Sequence, residues 1–154
     1  MPRGNILVVD DEIEIREGLE ALLASEGFDV ALAETVEAGL QKLEDRPYDL
    51  MLLDVSLPDR NGLELLREIR RRDPYLSIIL ITAYGSIDMA RAAFKSGAQD
   101  YITKPWSNDE LNQQVSLAIE GRRLRRKRAA EAGAEAALQL PEHRREERKN
   151  AGGV

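Results

Sequence analysis

Hydrophobic residues fall along this chain in short unbroken runs, separated by stretches with helical spacing. The runs are Asn5-Ile6-Leu7-Val8-Val9, Phe28-Asp29-Val30-Ala31-Leu32, Leu50-Met51-Leu52-Leu53, Ser77-Ile78-Ile79-Leu80-Ile81-Thr82 and Asp100-Tyr101-Ile102-Thr103. A run that is apolar without alternation suits a strand covered on both faces, the pattern of a parallel sheet. Between the runs, Ile13, Leu19, Leu22 and Leu23 mark a helix closed by Gly27. Thr35 is placed to cap a second helix through Leu40 and Leu43. Leu63, Leu65, Leu66 and Ile69 mark a third, stopped near Asp73-Pro74. A fourth spans Ile87 to Lys95 and ends at Gly97, and Ser107 with Glu110 spells a capping box that opens a fifth. The segment from Ser56 to Gly62 is dense in turn residues. Five strand–helix units joined by right-handed crossovers predict an α/β, doubly wound, five-stranded parallel sheet with helices on both faces.

Charged residues stand where these strands end. Asp10 and Asp11 follow the first run, Asp54 the third and Lys104 the fifth. Ligands of an open parallel sheet bind at the carboxyl ends of its strands, so the four side chains are expected to converge. Three carboxylates at close range repel one another unless a cation screens them. Magnesium suits such a set, because it takes carboxylate, water and phosphate oxygens. A carboxylate beside that ion can act as nucleophile toward a phosphoryl group. Lys104 offers a compact positive charge for one phosphoryl oxygen, and Thr82, ending the fourth run, offers a hydroxyl for another. Ala83 leaves room for a donor. The Lys104–Pro105 bond is a candidate cis peptide that aims the lysine inward.

The length of 154 residues allows one ordinary domain plus an appendage. No run approaches the length of a membrane span. A strand that begins at Asn5 leaves no secretory leader, and the chain has no cysteine. A cytoplasmic location without a membrane partner is the expectation. The net charge of −6 is unevenly spread: residues 1–120 hold 23 acids and 12 bases, whereas residues 121–154 hold 5 acids and 10 bases. Six of the seven residues from Arg122 to Arg128 are basic. This shift divides the chain into a domain at residues 4–120 and a basic helical extension with a polar tail at 121–154.

Taken together, Asp10-Asp11, Asp54 with Pro58 and Gly62 after it, Thr82-Ala83 and Lys104-Pro105 resemble the receiver domain of two-component response regulators. The resemblance covers residues 4–120. Leu57 to Leu66 and Thr82 to Ser86 are most similar to receivers of nitrogen-regulator-type enhancer-binding activators. It implies a flavodoxin-like sheet in the order 2-1-3-4-5 and a phosphoprotein that signals rather than turning over a metabolite. It further implies that Asp54 accepts a phosphoryl group from a sensor histidine kinase or a histidine phosphotransfer protein. In that scheme Asp11 and Asp54 ligate Mg2+ through carboxylates, Asp10 through water and Ser56 through its backbone carbonyl. Thr82 and Lys104 hold phosphoryl oxygens, and Thr82 with Tyr101 forms the switch.

Blander readings stand beside these. Asp10 and Asp11 alone would serve as N-terminal charges for the first helix. Tyr101 is equally an ordinary strand aromatic, Trp106 a packing residue beside Pro105, and His143 a solvated tail residue. Tyr84 and Ser56 are candidates for setting how easily water reaches the phosphorylated Asp54. The basic run reads as a solvated helical extension, a dimerising helix formed on phosphorylation, a patch for an acidic partner or a nucleic-acid contact. The activators of the resemblance carry an ATPase domain next, with a phosphate-binding loop, and neither that nor a DNA-binding domain is found in this sequence. The downstream partner is left open, and the alternative reading is a DNA-binding regulator acting through its basic tail. A phospho-aspartate hydrolase is disfavoured, because it would space its aspartates two apart and carry a cap.

Overall fold

The computed structural model describes residues 3–55, 62–83, 87–95 and 97–139. Strands β1 (Asn5–Val9), β2 (Asp29–Ala33), β3 (Leu50–Asp54), β4 (Ser77–Thr82) and β5 (Asp100–Thr103) alternate with helices α1 (Ile13–Ser25), α2 (Val36–Asp45), α3 (Gly62–Arg72), α4 (Ile87–Lys95) and α5 (Asn108–Gln139). All strands pair in parallel in the order β2-β1-β3-β4-β5. This is the doubly wound sheet expected from the sequence.

The unbroken apolar runs have a direct cause: alternate residues of each central strand feed two separate cores. Leu7, Val9, Met51, Leu53, Ile78 and Leu80 point to one layer, where they meet Val36 and Leu40 of α2 and Leu65, Leu66 and Ile69 of α3. Ile6, Val8, Leu50, Leu52, Ile79 and Ile81 point to the other, against Leu19 and Leu23 of α1 and Leu111, Val115, Ala118 and Ile119 of α5. Both faces of β3 and β4 are thereby removed from water, and every residue of these two strands is buried.

Local signals set the helix ends. The Thr35 side chain accepts from the Ala38 N–H at 3.1 Å, and Ser107 Oγ accepts from the Glu110 N–H at 3.1 Å. Gly27 and Gly97 have φ of 95° and 103°, the left-handed region in which a side chain is strained. The second strand starts one residue later than its apolar run. The Phe28 N–H donates to Leu23 O, so Phe28 still belongs to the close of α1, and pairing begins at Asp29 opposite Asn5.

Two compact units divide the chain, residues 1–122 and 123–154. In the first, Asp49 gathers three segments at the amino ends of the strands. Its Oδ2 accepts from the Asn5 N–H at 2.8 Å, its backbone carbonyl accepts from the Ser77 N–H, and its Oδ1 pairs with Arg122 at 3.2 Å. Arg122 is only 8% exposed. The first residue of the basic run is thus a structural cation, distinct from the exposed Arg126, Lys127 and Arg128. In the second unit, the described part of the helix exposes Leu124, Arg126, Lys127 and Arg128. The tail beyond Pro141, with His143, lies outside the described residues.

Removing one member of a largely buried ion pair strands the other charge. Arg122→Ala is therefore expected to lower unfolding stability by about 1–3 kcal/mol, while Arg126→Ala changes it by less than about 0.5 kcal/mol. Urea denaturation of the two variants checks this; equal losses would contradict the distinction.

Candidate functional site

The carboxyl ends of β1, β3 and β5 bring together the acidic and basic groups read from the sequence. Asp54 is the last residue of β3, paired opposite Ile81 in β4, and is 3% exposed. Asp10 follows β1 and is fully buried, whereas Asp11 is exposed. Lys104 follows β5 and reaches across the sheet ends. Its Nζ lies 3.1 Å from Asp10 Oδ2, 3.3 Å from Glu12 Oε1 and 3.5 Å from Asp54 Oδ2. The Lys104–Pro105 peptide is cis.

Thr82 ends β4, is 3% exposed, and its carbonyl accepts from the Lys104 N–H at 2.8 Å. The backbone thus ties the β4 terminus to the residue that carries the ammonium. Tyr101 is half-buried in β5 opposite Leu80, packed against the core that contains Met51 and Leu53. Trp106 is partly buried against the other core. Ser56, with its backbone carbonyl, and Tyr84 lie outside the described residues, as do Pro58 and the rest of the turn before Gly62.

Asp10 is fixed more firmly than its neighbours. Its Oδ1 accepts from the Glu12 N–H at 2.9 Å, and its carbonyl accepts from Arg16 at 2.8 Å. Arg16 in turn pairs with Glu34 beyond β2 at 3.5 Å. The residue at the helix N-cap is Glu12, which makes no side-chain capping bond, so the aspartate pair does not serve as the cap of α1. Asp10 Oδ2 is buried without a hydrogen-bond partner, its lysine contact having ion-pair distance but not hydrogen-bond alignment.

Burial raises the Asp10 pKa above 3.8, and the Glu12 N–H and the Lys104 ammonium only partly offset it. Lys104 feels burial in the opposite sense, which would lower its pKa, but Asp10, Asp54 and Glu12 outweigh burial and raise it. The lysine is therefore charged at neutral pH.

Asp10, Asp11, Glu12 and Asp54 each offer one oxygen, and these oxygens lie within 4.8 Å of one another. A set of hard oxygen donors that includes an unsatisfied buried carboxylate oxygen fits a small divalent cation such as Mg2+. Glu12 is the member that sequence reading passed over. Its adjacency to Asp10-Asp11 was the available signal, but an exposed acid at a helix start usually has no further role.

The sheet order β2-β1-β3-β4-β5, with acids after β1 and at the end of β3 and a lysine after β5, is the arrangement expected of a receiver domain. Comparison with known proteins gives the family. The model of the response regulator receiver domain matches residues 6–116. The chain is 42% identical over 132 residues to the response regulator protein PilR of Pseudomonas aeruginosa, covering 86% of this chain and 29% of that protein. It is 39% identical over 119 residues to the DNA-binding transcriptional regulator NtrC of Escherichia coli, covering 77% and 25%. NtrX from Brucella abortus superposes with a TM-score of 0.78 at 35% identity, covering 84% of this chain and 29% of that one. A CheY-like receiver domain protein from Methanospirillum hungatei superposes with a TM-score of 0.74 at 31% identity, covering 79% and 97%. The chain belongs to the response regulator receiver domain family. It spans between a quarter and a third of the length of the PilR and NtrC relatives. No described helix is long and apolar enough to cross a membrane.

The raised Asp10 pKa has a stability consequence with a definite sign. The folded protein binds this proton more tightly than the unfolded chain, so without magnesium stability falls as pH rises from 3.8 through the raised value. Asp10→Asn removes the buried charge and is expected to melt above the wild type at pH 7, the gap narrowing on acidification toward 3.8. Magnesium at a hundredfold its Kd would stabilise the wild type by about 2.7 kcal/mol, and Asp10→Asn by much less. Thermal melts across pH, with and without magnesium, test both; a variant less stable than wild type at pH 7 would contradict the account.

Proposed function

We propose that this receiver accepts a phosphoryl group on Asp54 from the phosphohistidine of a sensor kinase or phosphotransfer protein, and that the modification switches its surface. The observation that carries the reading is the meeting of Asp10, Asp54 and Lys104 within ion-pair distance at the carboxyl ends of the strands. Membership of the receiver family supports it.

An Asp54 carboxylate oxygen attacks phosphorus as the P–N bond of the phosphohistidine breaks. The imidazole leaves with the bonding electron pair and takes up a proton. Mg2+, held by Asp11 and Asp54 directly, by Asp10 through water and by the Ser56 carbonyl, would neutralise charge on the phosphoryl oxygens. Lys104 moves from carboxylate to phosphoryl oxygen, adding a positive charge where negative charge accumulates. Thr82 donates its hydroxyl to another oxygen, and Tyr101, half-buried beside β4, follows it inward. New hydrogen bonds made only in the phosphorylated state shift a two-state packing equilibrium. The receiver promotes its own phosphorylation and slow hydrolysis rather than converting a metabolite.

The output is a separate question. The relatives named as transcriptional regulators support control of transcription. The exposed basic residues from Lys127 to Arg128 support electrostatic contact with an acidic partner. Phosphorylation-dependent, salt-sensitive binding to a defined DNA duplex would favour the nucleic-acid form of this reading. A shift to dimer in light scattering would favour the homodimer form.

Asp54→Ala is expected to abolish labelling by a small-molecule phosphodonor with magnesium, and retained labelling would refute the acceptor assignment. Lys104→Ala is expected to label about a hundredfold more slowly, in the range for loss of one charge-stabilising group. It should also lose the change at Tyr101, read by NMR; full switching in this variant would remove the role given to Lys104.

A further inference from the structure

The Lys104 ammonium is shared unequally among the carboxylates around it. Its contacts with hydrogen-bond geometry are to Glu12 Oε1 at 3.3 Å and Asp54 Oδ2 at 3.5 Å. The Asp10 contact at 3.1 Å leaves Asp10 Oδ2 without a hydrogen bond. Of the three carboxylates in contact with the ammonium, Glu12 is the exposed one: its side chain is 60% exposed, against 5% for Asp54 and 0% for Asp10. At these distances hydrogen bonds weaken quickly with length, so a partner that draws the ammonium outward thins its contact with the acceptor. The phosphoryl chemistry described above gives Glu12 no step of its own.

We infer that Glu12 is a positioning residue that parks Lys104. It holds the ammonium toward the mouth of the unmodified site, in competition with Asp10 and Asp54, and the lysine leaves Glu12 to reach a phosphoryl oxygen. This inference deepens the acceptor reading and rests on it. A contact made in the resting state and broken in the modified one stabilises the resting state by its own free energy. Glu12 thereby sets the threshold for switching without touching the reacting atoms. Its adjacency to the aspartate pair is what makes this possible. Glu12 is the N-cap residue just before α1, and its backbone N–H donates to Asp10 Oδ1 at 2.9 Å, so its side chain starts from a fixed point beside the lysine.

The test uses the full chain with beryllium fluoride as phosphoryl mimic, at magnesium concentrations shown by titration to be saturating, with affinity read from Trp106 fluorescence or calorimetry. Glu12→Gln removes both the charge and the ion pair. Glu12→Asp keeps the charge but shortens the reach to Lys104 by one methylene. Both variants are expected to bind the mimic about two- to fivefold more tightly than wild type, the range for losing one partly exposed ion pair. Tightening in Glu12→Gln alone would show that net charge, not lysine parking, is responsible, and would overturn the inference. Unchanged or weakened binding in both would overturn it as well. Absence of binding by wild type, or equal binding by Asp54→Asn, would instead reject the acceptor reading beneath it.

Discussion

Two carboxylates, Asp10 and Asp54, are withdrawn from water at the ends of adjacent strands, and the rest of the site answers that constraint. Burial disfavours an ionised acid, which is why the Asp10 pKa is raised even with an ammonium beside it. Lys104 reaches both acids from the far side of β4 and stays charged because they surround it. One cation against this many acids leaves a surplus of negative charge, even though the buried Asp10 Oδ2 lies 3.1 Å from the ammonium. The same feature that costs folding stability gathers hard oxygen donors in a set that fits a small divalent cation.

The sheet makes this arrangement rigid where rigidity is needed. β3 and β4 are buried on both faces, so Asp54 and Thr82 end strands packed between two cores. β5 is less covered, with Asp100, Tyr101 and Thr103 half-buried. Asp54 and Thr82 thus end central strands, while the strand that carries Tyr101 and leads to Lys104 lies at the edge of the sheet. The Thr82 carbonyl accepts from the Lys104 N–H, which ties the end of β4 to the residue after β5.

Much of this was legible in the sequence because it depends on local pattern and on a topological rule. Unbroken apolar runs gave five strands, and strand-end placement gave the meeting of Asp10, Asp54 and Lys104 before any distance was known. Thr35 and Ser107 were readable as caps because capping needs only a side-chain oxygen and the spacing of one turn. Arg122 was not readable. Its composition matches that of its neighbours, and its burial depends on the phase of α5 and on Asp49, 73 positions away. Phe28 falls in the apolar run that marks the second strand, whereas its N–H is used to close α1. Glu12 was hidden by its ordinary setting, and only the reach of Lys104 across the strand ends brings it into the site.

The central claim is that Asp54 is the group that receives phosphorus. The most direct measurement is to incubate the purified chain with a small-molecule phosphodonor and magnesium, trap the product with borohydride, and map the peptides by mass spectrometry. Borohydride reduces an acyl phosphate to an alcohol and leaves free carboxylates unchanged, so it records which acid carried the phosphoryl group. The account predicts the reduced residue at position 54, with Asp10, Asp11 and Glu12 intact. Reduction at one of those three acids, or at none, would contradict it.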